Sequence, residues 1–247
     1  MQHQPVILAI ETTGPLASVA LTGQPELVNQ THYSHLEEIA PMVKEILAAA
    51  QMRPEELDAI AVSRGPGSFT GIRIGMATAK AFAQIWGKPV ICVPTLAGFA
   101  YGKYDLGTFE GFPAGRDPLI CPLFDARRSQ VYAGVYLSGS KDALLPDGAY
   151  DVPEYLEKLG ALLTEDRAAV FFGDGSDVYR ETLEACGLPH VFAPKEHRYQ
   201  KAYADLALAE QLYGERQLTD CYHAQPEYLR LAEAERKLKS GELRRMP

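Results

Sequence analysis

Each half of this 247-residue chain reads as a β-meander followed by alternating helices and strands, and that shared organisation restricts what the chain can fold into. In the first half, residues 6–11 read as a buried strand, 13–15 as a turn, and 16–22 and 27–32 as two further strands. This three-strand meander leads into a helix. Ser34 and Glu37 form a capping box, in which each side chain satisfies the other residue's backbone N–H. Leu36, Ile39, Ala40, Val43, Ile46, Leu47 and Ala50 keep the helical period, and Pro41 inside the pattern predicts a bend. A strand at 58–63, a glycine-rich loop, a second long helix, a strand at 88–93 and a short helix at 95–101 complete the half. The second half restarts with a strand at 119–125 that ends in an acid, Asp125, and a hairpin mate at 130–137. A helix from Pro153 to about 163, a strand at 168–172, a tight turn at 173–176, a helix at 177–186 and a last helix at about 201–213 close that lobe. The duplication is one of organisation, not of residues.

Two meander-then-alternating lobes facing each other predict an α/β chain of the two-lobed architecture shared by actin, sugar kinases and heat-shock chaperones. In that architecture, strand-end acids and two hairpin turns converge on a nucleotide cleft. A single doubly wound sheet is the alternative with the same alternation. The division follows the composition: a first lobe at 1–103, a Gly- and Pro-rich linker at 104–117, a second lobe at 118–223 and a tail at 224–247.

Charge limits the partners. The formal net charge is −8. Residues 226–247 hold six Lys/Arg against four Asp/Glu, net +2, which leaves −10 on the rest. An acidic body repels phosphate backbones, so this chain is a poor candidate for gripping RNA unaided; a basic partner or the tail around Arg236, Lys237, Arg244 and Arg245 would have to help. The four cysteines, Cys92, Cys121, Cys186 and Cys221, form no C-x-x-C pair, which argues against a zinc knuckle or a disulfide framework. With no signal-like start and no apolar run of the roughly 18 residues a span requires, the expected location is cytoplasmic.

The candidate chemistry is sparse. Gly65, Gly67 and Ser68 lie in a glycine loop that opens a helix, where backbone N–H groups can hold an anion. No G-K-[ST] follows, so the structural reading is preferred: the loop turns the chain sharply. Asp125, Arg127 and Arg128 are either phosphate contacts in a cleft or a local ion pair, with even weight. Gly173 opens a G-D-G turn of the kind found on the adenosine side of such clefts. His32 and His35 are separated by two residues with no third ligand, which reads as two solvent-accessible histidines near a cap and not a metal site. No nucleophile–base signature stands out, so no catalytic residue is assigned.

Segments 7–13 (ILAIETT), 63–75 (SRGPGSFTGIRIG), 125–127 (DAR) and 225–230 (QPEYLR) together resemble the TsaB (YeaZ) family, and the likeness extends from the first strand to Arg230. The resemblance implies an actin-like fold and a role as the non-catalytic paralogue and activating partner of TsaD. With the ATPase TsaE, these proteins transfer threonylcarbamoyl to the adenosine beside the anticodon of ANN-decoding tRNAs. It implies no resident metal or cofactor, with ATP or ADP confined to the interface of the complex. It also implies a homodimer through the same face when TsaD is absent. At the end of the first strand the family's usual Asp is replaced by Glu11, which weakens a nucleotide-site role for that acid. The partner interface is expected on the first-lobe helices: Leu36, Ile39 and Val43, with Met76, Phe82 and the small-residue row Gly71, Gly75, Ala79 and Ala83, which is expected to be exposed for close approach of a partner helix. An ATP-dependent small-molecule kinase of the same fold is the alternative, with only Asp125 and Arg127 as candidates; a metalloprotease is the third and least supported.

Overall fold

A computed structural model describes residues 4–29, 35–105 and 108–229. The elements of the first half are β1 (Ile7–Glu11), β2 (Ser18–Leu21), β3 (Leu27–Val28), α1 (His35–Ala49), β4 (Ala59–Gly65), α2 (Phe69–Trp86), β5 (Val90–Pro94) and α3 (Thr95–Gly98). Those of the second are β6 (Asp117–Asp125), β7 (Gln130–Leu137), β8 (Ala143–Asp151), α4 (Val152–Leu162), β9 (Arg167–Phe172), α5 (Gly175–Val178), α6 (Arg180–Glu184), β10 (His190–Phe192), α7 (Lys195–Arg198) and α8 (Ala202–Gly214). The first sheet has the order β3-β2-β1-β4-β5 and the second β8-β7-β6-β9-β10. In each, the first three strands pair antiparallel and the last two add in parallel. The expected duplication is therefore a duplication of topology, strand for strand.

Alternation along the strands divides the apolar residues among three layers. Leu8 and Ile10 of β1 face α1 and α2, while Ile7 and Ala9 face inward. On the second sheet Phe171 faces α4 and Val170 and Phe172 face inward. The inner core contains residues of both sheets together with Leu96, Phe99, Phe109, Leu208 and Leu212. Two of the linker's aromatics enter it: Phe109 is buried, and the Tyr104 ring lies 4.8 Å from that of Phe172.

Three expectations change. Helix α8 was assigned to the second lobe, yet it packs on β1, β2, β4 and β5 of the first sheet. The chain then returns along the first lobe as a strap. Thr219 and Val90 exchange backbone hydrogen bonds of 2.8 and 2.9 Å, so the strap covers the β5 edge. Strand β8 was not foreseen; Pro146 and Gly148 interrupt a strand pattern, but an edge strand tolerates both. The third change concerns the small-residue row. Gly71, Gly75, Ala79 and Ala83 are buried and face the chain's own sheet, not a partner. A Cβ at Gly71 would land on the Thr12 carbonyl oxygen and one at Gly75 on Thr12 Oγ1. Those two absent side chains let α2 sit directly on the turn after β1, where Thr12 Oγ1 donates to the Gly71 carbonyl at 2.7 Å. Ile39, Val43 and Met76, offered as interface residues, are buried in the same layer.

This geometry fixes the outcome of a large substitution. Gly75→Leu should destabilise the fold itself by about 1–3 kcal/mol or more through overpacking against Thr12 and Val62. A urea midpoint equal to that of the parent protein would contradict the packing described.

Candidate functional site

The glycine loop spends its backbone groups inside the protein. Gly65 N–H donates to Thr95 Oγ1 at 3.1 Å and Ser68 N–H to the Thr13 carbonyl at 2.8 Å. Ser68 caps α2, its hydroxyl accepting from Gly71 N–H at 3.2 Å. Gly65 has φ +116°, and a Cβ there would strike the Glu227 carbonyl oxygen. The strap thus lies on the loop: Glu227 N–H donates to the Arg64 carbonyl at 2.7 Å and its carboxylate meets the Arg64 guanidinium at 2.8 Å. Beyond it, Tyr228 OH accepts from Arg73 Nε at 3.1 Å, and the Arg73 guanidinium lies 3.8 Å over the Phe69 ring. The structural reading of Gly65, Gly67 and Ser68 fits this arrangement. The segment at 225–229 acts as a clasp on it.

Glu11 is fully buried, not poised over a cleft. Its Oε1 accepts from Thr13 Oγ1 at 2.6 Å and from Thr13 N–H, and its Oε2 meets Ser63 Oγ. Ser63 Oγ also meets Asp205 Oδ2 from α8. His35 is buried as well, against the expectation of a solvent-accessible ring; its Nε2–H donates to the Gly14 carbonyl at 3.0 Å and pins the β1–β2 turn. His32, Ser34, Arg230 and the basic tail lie outside the described residues.

In the second half, Asp125 forms a local network. Its Oδ1 accepts from Arg127 N–H at 2.9 Å and Tyr179 OH at 3.2 Å, and its Oδ2 pairs with Arg127 Nη1 at 3.2 Å. The Arg127 side chain is otherwise exposed. Gly173 has φ +84°, and a Cβ on it would strike the Leu123 carbonyl oxygen, so its freedom serves close packing on β6. Residues 198–200 join the two clusters. Gly173 N–H donates to the Arg198 carbonyl at 2.6 Å, and Gln200 Nε2 donates to Thr13 Oγ1 at 3.3 Å. A cavity lined by Thr95, Gly98, Tyr104, Gln200 and Asp205 has a volume of about 10 Å³, the room of one water.

The outward side of the first-lobe helices is different in kind. Leu36 and Ile85 are 74% and 75% exposed, and Ala40, Pro41, Ala77 and Ala81 are exposed beside them. Phe82 is half-buried and stacks on Trp86 with centroids 4.5 Å apart. Of the residues expected at a partner interface, Leu36 and Phe82 stand at the surface.

Two five-stranded sheets of identical strand order around a shared core place the chain in the two-lobed, actin-like α/β class. Structures from Pseudomonas aeruginosa share this fold. YeaZ superposes with a TM-score of 0.69 at 25% identity, covering 91% of this chain and 100% of that one. An uncharacterised protein with similarity to peptidase YeaZ gives 0.72 at 24%, covering 92% and 100%. The sequence profile described as TsaD, tRNA N6-adenosine threonylcarbamoyltransferase, matches residues 24–238. The tRNA threonylcarbamoyladenosine biosynthesis protein TsaB of Bacillus subtilis is 32% identical over 238 residues, 94% of this chain and 96% of that protein. The TsaB of Escherichia coli is 29% identical over 96% of this chain and 99% of its own length. The chain belongs to the TsaB family.

Where the halves face each other, Asp147 of β8 accepts from Tyr136 OH near the Arg64–Glu227 pair. Burial pushes its carboxyl from 3.8 up to about 6, against the lowering effect of the Tyr136 hydrogen bond. The folded protein then keeps this proton to about pH 6, whereas the unfolded chain releases it near pH 4, so stability falls as pH rises through that window and levels off above it. Asp147→Asn should remove a decline of about 2–3 kcal/mol between pH 4 and 6 in urea unfolding. Parallel profiles for the two proteins would refute the assignment.

Proposed function

We propose that this chain is a non-catalytic subunit that pairs with a TsaD-type transferase in threonylcarbamoyl transfer to tRNA adenosine. It presents the outward face of α1 and α2. Two observations support this reading: family membership, and an outward face in which Leu36 and Ile85 stand about three-quarters exposed while the opposite side of each helix is buried on its own sheet. TsaE and tRNA engage through the complex, since a body of net charge −10 outside the tail offers a phosphate backbone no attraction. In the absence of TsaD, the same face pairs two copies of the chain. The site of action is the cytoplasm, where tRNA is modified.

Nucleotide, in this reading, belongs to the assembled complex. The glycine-loop N–H groups named above already have partners, and Asp125 is engaged by Arg127 and Tyr179. ATP titrated into the chain alone should give no calorimetric binding in the micromolar range. Micromolar affinity lost on Asp125→Ala would overturn this and favour an ATP-dependent enzyme of the same fold.

The decisive experiment is a purified-component transfer assay with TsaD and TsaE, with and without this chain. Transfer should require both TsaD and the chain, and the chain alone should give none. A Leu36→Glu/Ile85→Glu variant should keep its circular dichroism and melting temperature, because both positions are exposed. It should lose TsaD binding by tenfold or more, since burying one such side chain contributes about 1.5–3 kcal/mol. Undiminished association would exclude this face.

A further inference from the structure

The Glu11–Ser63–Asp205 cluster is a buried acid pair with too few protons for its contacts. Glu11 is 0%, Ser63 1% and Asp205 3% exposed. One hydroxyl, that of Ser63, lies within hydrogen-bond reach of both a Glu11 oxygen and an Asp205 oxygen. A hydroxyl carries one proton, so it can donate to one of them only. If both acids were ionised, the second contact would set two oxygen lone pairs against each other. The arrangement closes only when one carboxyl brings its own proton.

The surroundings say which. Glu11 Oε1 already accepts from the Thr13 N–H and hydroxyl, two donors that favour the carboxylate. The groups acting on Asp205 are Glu11 from β1, Ser63 from β4 and Glu26 from the turn before β3, all acids or neutral. Tyr104 also faces it, while Tyr203 and Lys201 interact with Glu26. We propose that Asp205 retains a proton at neutral pH, donates it to Ser63, which in turn donates to the Glu11 carboxylate, and that this relay is the latch holding α8 on the first sheet. Burial, reinforced by the Glu11 charge, pushes the Asp205 carboxyl well above its usual range, in the same sense. The one-water cavity beside Asp205 gives the proton a route of exchange.

The sign follows from linkage. The native protein holds a proton that the unfolded chain releases near pH 4, so ν for the unfolded state is the smaller and stability declines as pH rises toward the native value. Through the neutral range, pH 6–8, as long as the native protein keeps the proton that the unfolded chain has released, the unfolding equilibrium constant rises with pH. Asp147, with its value of about 6, is outside most of that window.

Urea unfolding of the full chain would be compared with Asp205→Asn, which keeps a side-chain donor for Ser63 but cannot titrate. The parent profile should be the steeper of the two through neutral pH, by at most about tenfold per pH unit. A second measurement needs no folded variant: the infrared band of a protonated carboxylic acid should be present in the native parent protein at pH 7 and vanish on unfolding. Glu11→Gln should leave the protein folded with that band shifted. Parallel pH profiles, or a native protein at pH 7 without the band, would overturn the latch.

Discussion

Helix α8 lies at the end of the second half of the sequence but buries its apolar side on the first sheet, and most of the architecture depends on that return. Without it, the inward faces of β1, β4 and β5, with Ile7, Ala9, Ala61 and Ile91, would lack the cover of Leu208, Ala209 and Leu212. The inner core draws on both sheets, so the lobes are not two independent cores joined by a linker. The return also sets the course of the chain beyond it. From Gly214 the strap runs to Thr219 on the β5 edge and ends with Glu227 and Tyr228 clasped over the glycine loop. The closing motif and the loop, 160 residues apart in the chain, are one structural unit.

The second dependence is the intimacy between α2 and the turn after β1. Thr12 sits where the side chains of residues 71 and 75 would be. Thr13 then receives Ser68 N–H on its carbonyl and Gln200 on its hydroxyl, so a single turn joins the glycine loop, α2 and the approach to α8. Small residues face inward because the sheet side is where approach is closest. The outward side keeps Leu36, Ala81 and Ile85 free of the chain's own packing.

Much of this was legible in the sequence. The unbroken apolar run of β1, covered on both faces, and period 3.6 in α1 are direct records of which faces are covered, and the repeated organisation of the halves pointed to the two-lobed class. What periodicity does not record is the identity of the covering partner. The apolar positions of α8 announce a buried face, but not which sheet receives it. The row Gly71–Gly75–Ala79–Ala83 announces a close approach without saying from which side. One signal was available and unused: Asp205 occupies an inward position of α8, three residues before the buried Leu208, where an acid must find a buried partner. Strand β8 was hidden by Pro146 and Gly148, and β10 has only three residues, too few for a pattern.

The same logic bears on residues that resemble a nucleotide site. A glycine loop at a helix N-terminus has anion-binding capacity only while its N–H groups are unspent. Here Thr13, Thr95 and the Ser68 hydroxyl take the N–H groups of Ser68, Gly65 and Gly71. The strand-end acid has turned inward to Ser63 and Thr13, and the acid of the second hairpin holds its own arginine. The side chains and N–H groups named here are thus engaged by bonds within the chain. A loop built this way holds a helix at a fixed height above its sheet. The loop thereby fixes the placement of the outward helix face that carries Leu36 and Ile85.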